Sequence, residues 1–258
     1  MEKKNALVLS GGGLFGAWQV GAWSVLRQHC RFDVIIGASI GSLNGWAIAG
    51  GADPRELEGH WIEAASQGRM RFRIPLRPLD GLVEFSQIEG FIRGIHDAYR
   101  PEVEFHVVLT ELVRLRPRMV EGSHVHWKHL AASCALLGLL PQQRIEKVLY
   151  TDGGFLGALP LWAAARCGAT SVIGLNVMPR MPWPVRAVLK PVRAIRGRPV
   201  KPEQERTVVL APSRSLGNWK NAFLWQRARV REWIAQGRRD AEAALLDENI
   251  SLRQCFEA

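Results

Sequence analysis

The sequence predicts an α/β fold of three layers, α/β/α, around a mostly parallel central sheet. Two observations carry this. Short apolar runs of strand length alternate with longer stretches whose apolar residues recur at helical spacing. The first two such runs each end in a glycine turn that opens directly into a helical pattern, the signature of successive strand-to-helix units. The chain has 258 residues, 47% of them hydrophobic, enough to bury one sizeable core without requiring a second.

Taken in order, Ala6 to Leu9 is an apolar run closed by Ser10, Gly11, Gly12 and Gly13, and Trp18 to Leu26 then resumes at helical spacing. The order repeats at Val34 to Ile36, Gly37 to Gly41 and Leu43 to Ala49. Asp53-Pro54 supplies an N-cap and a proline at the first helical position, predicting a helix to about Ala65. Further strand-like runs lie at Val103–Leu109, Val148–Tyr150, Ser171–Val177 and Thr207–Leu210, with helix-like stretches between most of them. From Asn218 the pattern is one or two charged amphipathic helices. Residues 1–210 are expected to form one main domain, with 211–258 a helical extension packed on it.

Asn5 to Leu26 and Val34 to Ala52 carry no charge and are about long enough to span a bilayer. Their crowding with glycine and polar residues argues instead for buried strand, turn and helix. The apolar run after the basic start is too short for a secretion signal. Four cysteines at 30, 134, 167 and 255 form no CxxC pair, which fits reduced thiols and a cytoplasmic chain, peripheral to a membrane at most.

The chemistry concentrates at Gly37-Ala38-Ser39-Ile40-Gly41. A GxSxG pentapeptide between a strand and a helix makes a sharp turn that lifts the serine hydroxyl to the helix N-terminus, where negative charge is favoured. The bland alternative is a serine that merely caps the helix. Gly11, Gly12 and Gly13 can turn N–H groups outward as an oxyanion hole; with Gly16 they also fit the dinucleotide pattern GxGxxG. That second reading needs an acid at the end of the next strand, and Asp33 stands before Val34, at its start. All seven histidines precede Asp152, leaving a serine, acid, histidine order cramped between Ser39 and His129. Asp152, ahead of Gly153 and Gly154, offers a simpler base, although Asp-Gly-Gly is also an ordinary turn.

Taken together, LVLSGGGLFGAWQVG from Leu7 to Gly21, GASIG around Ser39, ASCALLGLLP from Ala132 to Pro141 and DGG at Asp152 to Gly154 resemble the patatin-like phospholipase family over roughly the first 175 residues. The resemblance implies a Ser39–Asp152 dyad without histidine, backbone N–H groups of Gly11 to Gly13 as oxyanion hole, and hydrolysis of acyl esters on lipids with neither metal nor cofactor. A thioesterase or acyltransferase on the same dyad is the nearest alternative, and a catalytically silent lipid- or nucleotide-binding protein the more distant one. Three positions depart from the family's pattern: Phe15 replaces a usual Arg or Lys, Ala158 a frequent Asn, and Leu137 a frequent Pro. Loss of the basic residue bears on head-group preference or on the stability of the glycine loop.

The net charge of +10 favours polyanionic partners without choosing among them. Met178 to Pro202 holds six prolines, many basic residues and no acid. Within it Val185, Val188, Leu189, Val192 and Ile195 fall at helical spacing beside a stripe of Arg186, Lys190, Arg193 and Arg196, with Pro191 a kink and Trp183 at the edge. This is the pattern of a helix on an anionic bilayer, or of a loop packing its valines on the core. His124, His126 and His129 lack a fourth ligand and read as a polar helix start. No recognition-helix or stacking-sheet pattern points to nucleic acid.

Overall fold

The computed structural model describes residues 3–66, 72–77, 79–179 and 206–247. The basic segment with Trp183, Arg186, Lys190, Arg193 and Arg196 lies outside them, as does Cys255.

An eight-stranded mixed sheet forms the middle layer. Its centre is β1 (Asn5–Leu9), with β2 (Val34–Ala38) and then β3 (Glu104–Glu111) on one side, all parallel. On the other side of β1 lie the strands at Ser171–Leu175 and Arg206–Leu210, also parallel. In chain order the remaining strands are β4 (Arg116–Glu121), β5 (Gln143–Ile145) and β6 (Val148–Thr151), so the two just named are β7 and β8. β4 and β5 escape sequence inspection: β4, with Arg116, Pro117 and Arg118, is a largely exposed antiparallel edge strand, and β5 is three residues long.

Residues alternate between the two faces of each strand. Leu7, Leu9, Ile35, Phe105, Val107 and Leu109 point into the larger core, with α1 (Gly16–Leu26), α2 (Ile40–Ala49), α3 (Pro54–Ala64), α4 (Ser86–Ala98) and α5 (Trp127–Ser133). Ala6, Val8, Val34, Ile36, Ala38 and Val108 point the other way, against Ala163 and Ala164 of α6 (Leu161–Arg166). Every residue of α1 and α2 is buried, which explains the charge-free stretches as core helices. Among the described residues no helix is long and apolar enough to cross a membrane.

Asp53 caps α3 as its sequence predicts, its carboxylate accepting the Arg55 N–H at 2.8 Å. Among the described residues from Asn218 onward there is one α-helix, α7 (Arg227–Leu246), lying against α1. The two touch backbone to backbone. A Cβ on Gly21 would stand 2.0 Å from Ile234 O, and one on Gly237 would stand 2.1 Å from Trp18 O. The Trp18 indole closes the contact, donating to Asp240 Oδ2 at 2.7 Å.

Candidate active site

Between the last residue of β2 and the first of α2 stands Ser39 alone, with φ 54° and ψ −132°, a conformation rare for a residue with a side chain. The flanking glycines are where the chain cannot carry one. A Cβ on Gly37 would lie 2.3 Å from Gly41 O, and one on Gly41 would lie 2.5 Å from Leu9 O. The pentapeptide is thus a strand-to-helix elbow wedged against the end of β1.

Asp152 reaches Ser39 through an exchange of strand neighbours. β4 pairs along one edge of β3, from His106 to Glu111, and β2 pairs along the other from Glu104 to Val108. Where β2 turns away at Ser39, β6 takes over that edge, Thr151 facing Thr110. The next residue, Asp152, is therefore beside the elbow. Ser39 Oγ donates to Asp152 Oδ2 at 2.6 Å, and the Gly154 N–H donates to Oδ1 at 2.7 Å. A Cβ on Gly153 would collide with Val108 O at 1.9 Å, so the approach requires glycine. Both side chains are buried. Burial raises the Asp152 carboxyl to about 6, against the hydrogen bonds from Ser39 and Gly154 that favour its charged form.

Ser133, at the end of α5, ties the two loops together. Its hydroxyl accepts the Ser39 N–H at 2.8 Å and donates to Val108 O at 2.7 Å, while its carbonyl accepts the Gly153 N–H at 2.9 Å. Sequence reasoning singled out the segment around it without giving it a role. The available signal was a serine set among alanines and leucines at the end of a short helical stretch.

The glycine loop follows β1 on the other side of the elbow. The Gly11 N–H is committed to Ala158 O at 2.9 Å, whereas those of Gly12 and Gly13 have no partner among the described residues. Gly13 has φ 58°, and a Cβ there would stand 2.4 Å from Ala222 O. Gly16 packs under the elbow, against Ile40. Beneath the loop runs a buried polar chain: Gln19 Nε2 donates to Ser10 O and Leu175 O, Asn44 Nδ2 to Gln19 Oε1, and Trp61 Nε1 to Asn44 Oδ1.

Ser39, Asp152 and the loop share a cavity of about 450 Å³ whose other walls are mainly Leu, Ile, Phe and Ala side chains, among them Leu43, Ile88, Phe91 and Phe155. Cys134 also lines it, its thiol kept protonated by burial and the nearby Asp152 carboxylate.

The departures from the expected motif have local explanations. Phe15 is buried and meets Trp233 of α7 edge to face, centroids 5.2 Å apart, so it fills a packing position. Ala158 serves through its carbonyl, which any residue offers. Asp33 binds the Asn5 N–H at the start of β1, the end of the sheet away from the glycine loop, where it could not meet a ribose. His126 and His129 open α5, the His126 N–H donating to His129 Nδ1; burial lowers His129 to about 4 and keeps it a neutral acceptor. Among the described residues one trio has metal-ligand spacing, Glu104, His106 and Cys167, at the start of β3 rather than in the cavity; the Lys4 ammonium already holds Glu104 at 2.6 Å.

The patatin-like phospholipase family model matches residues 7–165. A lysophospholipase nte1 of Aspergillus terreus is 29% identical over 178 residues, an alignment covering 66% of this chain and 12% of that protein. A human patatin-like phospholipase domain-containing protein 2 is 30% identical over 179 residues, 62% of this chain and 34% of that one. The chain thus spans only a small part of the length of these relatives. Among solved structures, VipD from Legionella pneumophila superimposes with a TM-score of 0.52 at 11% identity, covering 94% of this chain and 66% of that one, a likeness of fold. With motif order, fold and family model in agreement over most of its length, the chain belongs to the patatin-like phospholipase family.

Proposed function

We propose that the chain hydrolyses acyl esters of lipids through a Ser39–Asp152 dyad and an acyl-enzyme intermediate. The observation that carries this reading is the 2.6 Å hydrogen bond from Ser39 Oγ to Asp152 Oδ2 inside an apolar cavity. Asp152 takes the Ser39 proton as Oγ attacks the ester carbonyl carbon, and the N–H groups of Gly12 and Gly13, unpartnered among the described residues, receive the oxyanion. Asp152 then returns the proton to the departing alcohol, leaving the acyl group on Ser39. Water, deprotonated by Asp152, attacks the acyl carbon; the fatty acid leaves and the proton returns to Ser39.

An ordinary carboxylate near 4 is a weak base for an alcohol, and raising Asp152 to about 6 improves the match to a near-neutral working pH. The Gly154 N–H fixes Oδ1 so that Oδ2 faces the hydroxyl. Apolar walls of this size suit an acyl chain. The proposal extends to a cytoplasmic enzyme peripheral to a membrane, with residues 1–210 as catalytic domain.

The test is turnover of a chromogenic fatty-acyl ester by wild type, Ser39→Ala and Asp152→Asn, with labelling by a serine-directed fluorophosphonate. Wild type alone should turn over and label. Activity retained in Ser39→Ala refutes the dyad, and a folded wild type that neither labels nor hydrolyses marks a silent binding protein.

A further inference from the structure

The cavity opens beside a hairpin that carries no catalytic group. Phe72 and Val83 pair antiparallel across it, and the Arg73 N–H donates to Leu82 O at 2.8 Å. Its returning limb is joined to the cavity wall: the Leu82 N–H donates to Gly138 O, the Val83 N–H to Leu139 O, and the Gln142 N–H to Leu79 O. Leu82 and the stretch from Gly138 to Leu140 line the cavity, so the hairpin grows out of its rim.

The hairpin's exposure is inverted for a face that meets only water. Phe72 is 72% exposed, Ile74 91% and Leu76 96%, while Val83 at the base is fully buried. Leu79 and Leu82 are exposed as well, and so is Leu137 on the adjoining wall. Single exposed apolar side chains are ordinary; five on one hairpin at the mouth of an apolar cavity mark an interaction surface. Phe72, Ile74 and Leu76 alternate with other residues, and the exposed Arg73 and Arg77 occupy the opposite parity. In sequence the same alternation begins at Arg69, Met70 and Arg71. Along an extended chain, alternate residues face opposite ways.

We propose that the Phe72–Val83 hairpin docks the chain onto a lipid bilayer bearing anionic head groups, Phe72, Ile74 and Leu76 entering the acyl boundary while Arg73 and Arg77 rest against phosphates. A bilayer is favoured over a protein partner because exposed apolar residues and arginines alternate on the hairpin whose Leu82 lines the cavity, so a membrane on this hairpin stands beside the space that takes an acyl chain. A protein seated there would cover the opening. The chain's net charge of +10 adds attraction to an anionic leaflet. The inference rests on reading the cavity as an acyl-chain site.

The experiment compares wild type, Ser39→Ala, the double variant Ile74→Asp/Leu76→Asp and the double variant Arg73→Gln/Arg77→Gln. Each is co-sedimented with vesicles of phosphatidylcholine alone or mixed with phosphatidylglycerol, and assayed on a soluble short-chain ester. Wild type and Ser39→Ala should bind the anionic vesicles equally. The aspartate variant should lose roughly tenfold in partitioning for each apolar side chain replaced, with soluble-ester turnover unchanged. The glutamine variant should lose the preference for phosphatidylglycerol. Undiminished vesicle binding by the aspartate variant overturns the proposal. So does a wild type that ignores both vesicles, including one that self-associates through the hairpin instead. Hairpin-dependent binding by a wild type that hydrolyses no ester leaves the docking surface standing and removes the hydrolase reading.

Discussion

The Ser133 hydroxyl accepts the backbone N–H of Ser39 at 2.8 Å, so a residue 94 positions away holds the elbow at its strained φ of 54°. The same hydroxyl donates to Val108 O, and the Ser133 carbonyl holds Gly153. One residue thus fixes the nucleophile, through its hydroxyl, relative to the loop that carries its base, through its carbonyl. Ser133→Ala should leave the Ser39 N–H buried without an acceptor, costing about 1–3 kcal/mol. Because the loss falls on the position of reacting atoms, kcat should drop roughly tenfold or more with KM little changed. Slower fluorophosphonate labelling of a normally folded Ser133→Ala checks the positioning role. An unaltered labelling rate would contradict it.

Asp152 sets two pH dependences of opposite benefit. As a base it must be ionised, and with its carboxyl raised to about 6 by burial, kcat/KM should fall as pH drops through that value rather than near 4. For stability the sign runs the other way. A carboxyl whose pKa rises on folding binds its proton more tightly in the native chain, so it contributes stability at pH below about 4 that is lost as pH rises through about 6. The ionised, buried Asp152 then costs about 3 kcal/mol at neutral pH. Asp152→Asn should therefore be inactive yet more stable than wild type at neutral pH, with the gain gone near pH 4. Denaturant unfolding at both pH values checks this.

Gly13→Ala tests the loop. At φ 58° an alanine pays about 1–2 kcal/mol in backbone conformation, and its Cβ would press on Ala222 O at 2.4 Å, which is backbone and cannot swing aside. The loop must move, and with it the two N–H groups proposed to receive the oxyanion. Ester turnover should fall about a hundredfold or more while Ser39 and Asp152 remain intact. Gly90→Ala, at an open position of α4, should leave both activity and fold unchanged.

How far these parts were legible in the sequence depends on the range over which each is determined. The elbow, the Asp152 turn and the glycine loop are local devices, each readable from adjacent small residues. Ser133 is not, because its partners Ser39 and Val108 come from other elements. The β4 edge strand hides for a different reason: Arg116, Pro117 and Arg118 face solvent, so no apolar alternation marks it. Phe15 was the opposite case. Its departure from the family's basic residue was visible, but its consequence lay in Trp233, more than two hundred residues along.

Phe15→Arg, which restores the family's usual charge, should therefore harm this chain. The cation would enter a buried position packed against Trp233, at a cost on the order of 3 kcal/mol or more. Phe15→Leu stays apolar and gives up only the ring contact and part of the buried volume, about 1–2 kcal/mol. Thermal unfolding should place the two far apart, with Phe15→Leu still hydrolysing ester. Equal stability of Phe15→Arg and wild type would mean that the position is not a packing site.

Asn44 is the centre of the polar chain below the glycine loop. It accepts from Trp61, donates to Gln19 and Gly16 O, and through Gln19 steadies Ser10 at the end of β1. Asn44→Leu strands the Trp61 N–H and the Gln19 carbonyl in a buried site, a loss of about 2–5 kcal/mol. Gln19→Leu alone should also be costly, since Asn44 then loses an acceptor. The two share one interaction, however, so the double variant should be less destabilised than the sum of the singles, a coupling measurable by a double-mutant cycle. Since the chain ends at Ser10, directly before Gly11, each single variant should lower kcat as well as stability. Additive stabilities with unchanged kcat would show that the network supports the core alone and leaves the loop to hold itself.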